Sequence, residues 1–228
     1  VKVLEAARKA KVKKFVYAAS SSCYGLAKTP TSEIHKINPL YPYAMSKYQG
    51  ENLCFHWSKL YNLPVNSIRI FNAYGPRVRT TGAYGAVFGV FFKQKLENKP
   101  FTVVGNGNQK RDFVFVTDVV NAFYKAATNK ISGQIFNLGS GKPKSVNELV
   151  KILGGKKTHI PKRPGEPNIT HADTRKIKKI LKWSPKISFK EGVNEMLKDI
   201  NNWKSAPLWN SISIKRATKS WFYFMKGK

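Results

Sequence analysis

Val3, Leu4, Ala7 and Val12 recur at helical spacing in "VKVLEAARKAKVKK", with lysines on the opposite side. That pattern predicts an amphipathic helix. "FVYAAS" follows as a short apolar run and reads as a buried strand ending at Ser20. "YAMSKYQGENLCFHWSKLY" predicts a long helix, with Pro42 in the first turn where a missing N–H is tolerated. "LPVNSIRIFNAYG" predicts one buried strand running into a Gly-Pro turn. Next come a helix over "GAYGAVFGVFFKQKLENK", a strand at "FTVVG", and a helix over "VTDVVNAFYKAATN" capped at Thr117/Asp118. "GQIFNLGS" predicts a third buried strand, and "SVNELVKILGG" a helix with a capping box from Ser145 to Glu148. The segment "HIPKRPGEPNITHADTRKIKKILKW" reads as loop, then helix.

Apolar strands alternating with helices imply an α/β fold with a parallel sheet. In such sheets ligands bind beyond the carboxyl ends of strands. Ser20 and Asn72 sit at two of those ends, and "YAMSK" places Tyr43 and Lys47 one helical turn apart near the first. A tyrosine with its ordinary pKa of ~10 is a poor base at neutral pH. A lysine four residues on shares its helix face and stabilises the phenolate. A hydroxyl at the neighbouring strand end can share the proton. The strand-end serines with Tyr43 and Lys47 are therefore a candidate catalytic set, the plain alternative being serines that end a strand and an ordinary solvated helix pair.

Composition narrows the picture. The 228 residues are 42% hydrophobic, enough for one domain with a core plus a smaller lobe. No apolar run reaches the ~18–20 residues of a membrane span, and two cysteines build no disulfide framework. The four histidines and two cysteines lack metal-ligand spacing. The formal charge of +29 favours polyanionic or phosphate-bearing partners. Lysines supply 33 of the 41 basic residues and are scattered, which favours solvated faces over a nucleic-acid surface. The tail "WKSAPLWNSISIKRATKSWFYFMKGK" mixes aromatic and basic residues; its aromatics are expected to dock on the body or a partner subunit, the alternative being a membrane surface.

Taken together, "SSSCYG", "YPYAMSK", "RIFNAYGPR", "VVGNGNQKRDFVFVTDVV" and "RPGEP" resemble the extended short-chain dehydrogenase/reductase family, in its NAD-dependent nucleoside-diphosphate-sugar epimerase/dehydratase branch. The resemblance runs from residue 1 to about residue 200 and implies the C-terminal part of a Rossmann-like parallel sheet with helices on both faces, plus a smaller substrate-binding lobe. Residues 1–75 and 115–145 would form the catalytic core, 76–114 and 146–200 the lobe, and 201–228 a tail. It implies Ser20, Tyr43 and Lys47 as catalytic residues, with Tyr43 and Lys47 also holding NAD. Asn72, Arg111, Arg163 and Glu166, with Ser20, would bind the nucleotide sugar. Arg77 and Arg79 are further candidates for the pocket wall, and Val104 for the surface beside the base. The family's glycine-rich NAD turn is absent from this sequence, so the chain is expected to be the C-terminal part of a longer protein or a truncated reading frame.

The resemblance also bears on the reaction. Dehydratases of the branch typically carry an acidic pair after the catalytic hydroxyl residue, and decarboxylases a glutamate at the second position. Ser21 and Ser22 stand there instead. Epimerisation at C4 of a UDP-hexose, through a transient 4-keto sugar, is therefore expected. Dehydration or reduction on the same fold, or a non-catalytic binding module, stay open. A cytoplasmic homodimer is the expected context.

The scattered lysines predict that any DNA binding is weak, indifferent to sequence, and falls steeply with added salt. Arg111→Ala with Arg163→Ala should lower UDP-sugar affinity far more than DNA affinity, because directional arginine–phosphate contacts are lost while the diffuse field barely changes. Paired binding titrations at physiological salt check this; tight, sequence-selective DNA binding would reverse the ranking.

Overall fold

The computed structural model describes residues 1–78, 87–161, 166–208 and 212. The chain divides into two compact units. The first comprises Val1–Tyr74, Arg111–Pro143 and Ile169–Ile187. The second comprises Gly75–Lys110, Lys144–Asn168 and Ser188–Lys228.

The first unit is built on three parallel strands in the order β1 (Phe15–Ser20), β2 (Val65–Ile70), β7 (Gln134–Leu138). Phe15 aligns with Val65 and Ser20 with Ile70, while Asn66 aligns with Gln134 and Ile70 with Leu138. Helices cover both faces, as the alternation of strand and helix requires. On one face α1 (Lys2–Lys9) and α2 (Pro42–Tyr61) enclose Leu4, Cys54, Leu63 and Val65. On the other, α4 (Val116–Thr128) and α6 (Arg175–Leu181) bury Ile68, Ala122, Phe136, Leu138, Ile177 and Trp183. Removing such side chains from water contributes roughly 1.5–3 kcal/mol apiece. Helix α2 begins on Pro42 and ends at Asn62, whose φ of +54° is a left-handed conformation that asparagine tolerates. Gly50 lets α2 approach the sheet, because a Cβ there would lie 2.1 Å from the Tyr17 hydroxyl.

Three sequence expectations are corrected in this unit. The run Leu63–Gly75 is not one strand. It breaks at Phe71, and β3 (Asn72–Tyr74) pairs with β6 (Phe113–Phe115) in a separate parallel ribbon. Helix α4 starts at Val116 with Phe115 as its N-cap and no side-chain cap. Asp118 is instead buried, and its carboxylate accepts the backbone N–H groups of Lys186 and Ile187. Finally, α6 and Trp183 belong to this unit, although the sequence reading places residues 146–200 in the smaller lobe. The Trp183 indole N–H donates to the Asp118 carbonyl, which holds the segment in place.

In the second unit, β4 (Phe101–Val104) pairs in parallel with β9 (Lys157–Ile160), a strand where the sequence suggested loop. Helix α3 is described over Val87–Leu96; residues 82–86 of the expected helix lie outside the described residues. Helix α5 (Val146–Leu153) carries the expected capping box, Ser145 with Glu148. A second box, Ser188 with Glu191, opens α7 (Phe189–Lys198). Trp203, the first tail aromatic, is buried against Phe92 with ring centroids 5.2 Å apart. The two-residue strands β5 (Lys110–Arg111) and β8 (Lys144–Ser145) complete the elements. Among the described residues no helix is long and apolar enough to cross a membrane, and no cluster of His, Cys, Asp and Glu could hold a metal ion.

Burial pushes the Cys23 and Cys54 thiols up to about 11, and each is only 2% exposed. Because the thiolate is the reactive form, neither should react with a disulfide reagent at pH 8 in the native chain. Both should react in denaturant. Rapid native labelling of either thiol, followed by absorbance, would contradict the packing described.

Candidate active site

The first unit gathers its polar side chains at the carboxyl end of β1. Ser20 is the last residue of that strand, and its extended backbone (φ −140°, ψ 141°) makes it the N-cap of a 3-10 turn over Ser21–Tyr24. Its Oγ accepts the Ser22 N–H at 3.2 Å and the Ser22 hydroxyl at 2.9 Å. Gly25 closes the turn with φ +64°, and a Cβ there would meet the Asn38 carbonyl at 2.3 Å. Only glycine fits that bend.

Tyr43 and Lys47 lie in the first turns of α2. The Lys47 ammonium donates to the Ala18 carbonyl of β1 at 3.0 Å and stands 6.0 Å from the centre of the Tyr43 ring. Tyr43 is 48% exposed, so its ring is open to a ligand. The structure thus brings Lys47 to the strand that ends in Ser20, with Tyr43 one turn earlier on the same helix.

Beneath these residues runs a buried polar network that the sequence reading missed. Glu51 continues the Tyr43/Lys47 face of α2 and accepts from the Arg69 guanidinium and the Ser67 hydroxyl of β2. Arg69 also donates to the Tyr24 hydroxyl at 2.8 Å, and Tyr24 donates to Asn137 Oδ1 at 2.7 Å. Asn137 in turn donates its side-chain amide to the Thr31 carbonyl and its backbone N–H to the Glu33 carboxylate. Burial by itself disfavours the Arg69 charge, but Glu51 and Tyr24 together more than offset this and the guanidinium pKa rises. Burial pushes the Tyr24 phenol well above its ordinary range against the pull of Arg69, so it stays neutral and donates. A signal was present in the sequence. Ser67 and Arg69 alternate inside an apolar strand, and period-two geometry aims both at one face.

Asn72 begins β3. Its N–H donates to the Asp112 carbonyl at 3.1 Å, and its Oδ1 accepts the Thr170 hydroxyl at 2.8 Å. Arg111 is half-buried and adjoins Asp112 in the chain. The Asp112 carboxylate accepts from the N–H groups of Ser140, Gly141 and Ala172 and from the Ser140 hydroxyl. Its role is to join the segment after β7 to the segment before α6. Glu166 is half-buried in the second unit, as is Val104, and Arg77 is exposed with φ +64°. Arg163 and Arg79 lie outside the described residues.

Residues 1–139 match the model of the NAD dependent epimerase/dehydratase family. The chain is 34% identical over 200 residues to an uncharacterised UDP-glucose epimerase of Bacillus subtilis, covering 84% of this chain and 62% of the relative. It is 35% identical over 212 residues to a UDP-glucuronate 4-epimerase of Thermodesulfobacterium geofontis, covering 90% and 63%. Among solved structures, a UDP-glucuronic acid 4-epimerase from Bacillus cereus, in complex with UDP-glucuronic acid and NAD, superposes with a TM-score of 0.80 at 33% identity, covering 88% of this chain and 65% of that one. The chain therefore spans a little under two thirds of the length of these relatives.

Glu51→Ala should lower stability by about 3–5 kcal/mol, because it leaves the Arg69 charge buried without a partner. Replacing both residues with apolar side chains of similar volume should cost markedly less than the two single losses added together. Denaturant unfolding of the four proteins checks this; simple additivity would mean that the two side chains are not coupled.

Proposed function

The chain belongs to the NAD-dependent epimerase/dehydratase family, and from that premise we propose that it carries the catalytic residues of a nucleotide-sugar 4-epimerase acting on a UDP-hexose. The observation that carries this reading is the Lys47 ammonium, fixed on the Ala18 carbonyl beside the strand end at Ser20, with the half-exposed Tyr43 one turn away. The reading extends, on the resemblance alone, to a homodimer in the cytoplasm.

The residues present fit the nicotinamide end of NAD. An ammonium has three donors, and the bond to Ala18 uses one of them. The others suit ribose hydroxyls, while Tyr43 stands beside them. Bound NAD would supply a hydride acceptor and donor at the sugar carbon, which leaves the overall reaction redox-neutral. Tyr43 takes the proton from the sugar hydroxyl as the carbonyl forms and returns it when the carbonyl is reduced. Lys47 stabilises the tyrosinate by its positive charge. Ser20 hydrogen-bonds the same sugar oxygen.

Binding of the diphosphate falls to Asn72 and Arg111, with Arg163 and Glu166 as further contacts on the resemblance. Thr170 occupies the carboxamide oxygen of Asn72, which leaves the amide NH2 as the group to offer a phosphate oxygen. Arg111 suits bidentate phosphate contact. The choice of epimerisation rests on Ser21 and Ser22: neither side chain can act as the acid or base that elimination of water needs.

In the NAD-loaded form, Tyr43→Phe should reduce interconversion of C4 epimers by at least about 100-fold, the usual scale for a lost general base. UDP-sugar affinity should stay within a few-fold of wild type. Turnover close to wild type in the variant would sink the assignment of Tyr43. A 4-keto-6-deoxy sugar accumulating as product would instead show that the reaction is elimination.

A further inference from the structure

We propose that Ser22 is a positioning residue: it holds the Ser20 hydroxyl so that this group can only donate a hydrogen bond to the substrate oxygen. The inference rests on the nucleotide-sugar reading above and adds a residue to it.

A serine hydroxyl has one proton and two acceptor lone pairs. The Ser20 oxygen accepts both the Ser22 backbone N–H, at 3.2 Å, and the Ser22 hydroxyl, at 2.9 Å. With the Ser22 hydroxyl as donor across that 2.9 Å contact, its acceptor capacity is filled within its own turn, and the proton is what remains for a ligand. This has a chemical consequence. A freely rotating Ser20 could accept a hydrogen bond from the sugar hydroxyl and turn that proton away from Tyr43. A donor-only Ser20 leaves Tyr43 as the sole acceptor, and its bond strengthens as negative charge develops on the sugar oxygen.

The turn that presents Ser22 is fixed from both sides. The Asn38 N–H donates to the Cys23 carbonyl at 2.9 Å, and Gly25 leaves no room for a side chain beside the Asn38 carbonyl. The Tyr24 side chain is buried, and its hydroxyl is clamped between Arg69 and Asn137. The Gly25 N–H donates to the Ser22 carbonyl at 3.2 Å, which sets the orientation of that peptide. Ser22 is thus tied to the buried Glu51–Arg69 pair through a short, rigid path.

The test compares wild type with Ser22→Ala, Ser22→Thr, Ser20→Ala and the Ser20→Ala/Ser22→Ala double variant. Two readouts are used: steady-state epimerisation of a UDP-hexose by the NAD-loaded form, and the Ser20 χ1 rotamer distribution of the full chain by NMR with labelled serine. Ser22→Ala should lower kcat about tenfold, roughly the worth of one hydrogen bond to a charged oxygen, with KM within about twofold. It should also let Ser20 populate a second rotamer. Ser22→Thr should recover most of both effects. In the Ser20→Ala background, removal of the Ser22 hydroxyl should cost nothing further, whereas a merely structural role would still add its loss. A single unchanged Ser20 rotamer in Ser22→Ala, or a loss that persists in full without the Ser20 hydroxyl, overturns the proposal. If wild type shows no epimerisation while the rotamer responds as stated, the hydroxyl lock stands and the nucleotide-sugar reading falls.

Discussion

The buried ion pair between Glu51 and Arg69 is the interaction on which the rest of the first unit depends. Each side chain is nearly inaccessible to water, so neither charge can be satisfied by solvent if the other is displaced. Two charges removed from water are tolerated only when geometry is good and the remaining hydrogen-bonding capacity is filled. Here Ser67 occupies one side of the carboxylate, and Tyr24 takes part of the guanidinium. The pair links α2 to β2, and through Tyr24 and Asn137 it reaches the turn after β1 and the end of β7. Its contribution is less to net stability than to uniqueness of arrangement, because a shift of any one element strands a charge.

That constraint bears directly on the proposed chemistry. Helix α2 carries Tyr43 and Lys47 on the turns before Glu51, so anchoring Glu51 fixes the depth and rotation of the helix against the sheet. The close approach at Gly50 depends on glycine, since a Cβ there would collide with the Tyr17 hydroxyl. Lys47 then finds the Ala18 carbonyl within reach. On the other side of the same strand end, the Tyr24 clamp holds the turn containing Ser22. The proposed base and the proposed donor are therefore positioned by a single buried framework. A catalytic group set by packing loses little orientation freedom when the substrate arrives, which is where much of an enzyme's advantage lies.

Asp112 does comparable work with a different balance. It is fully buried, and its carboxylate accepts three backbone N–H groups and one hydroxyl. Backbone donors cannot be released without unfolding the loops that bear them. The carboxylate thereby draws the segment after β7 and the segment around Ala172 onto the strand beside Asn72. Of the proposed phosphate contacts, Arg111 precedes this residue in the chain, and the Asn72 N–H donates to its carbonyl. Asp118 repeats the device at the start of α4 by capturing Lys186 and Ile187.

The sequence by itself determined the α/β class, the three parallel strands, the long helix opened by Pro42, the capping box at Ser145 and the placing of Tyr43 and Lys47 one turn apart on that helix. These follow from short-range physics: the period of apolar residues, the missing N–H of proline, side chains one helical turn apart. It misjudged Asp118 as a helix cap, because cap preference is local while the N–H groups that claimed this carboxylate are nearly seventy residues away. The alternation of Ser67 and Arg69 was visible but had no evident partner, since Glu51 faces them only once α2 lies across the sheet. The break at Phe71 escaped notice because β3 is a strand only by virtue of pairing with β6. Tertiary structure alone decided which distant group each buried polar side chain would meet. A buried charge or amide must find its partner wherever the fold brings one, and no local pattern records where that is.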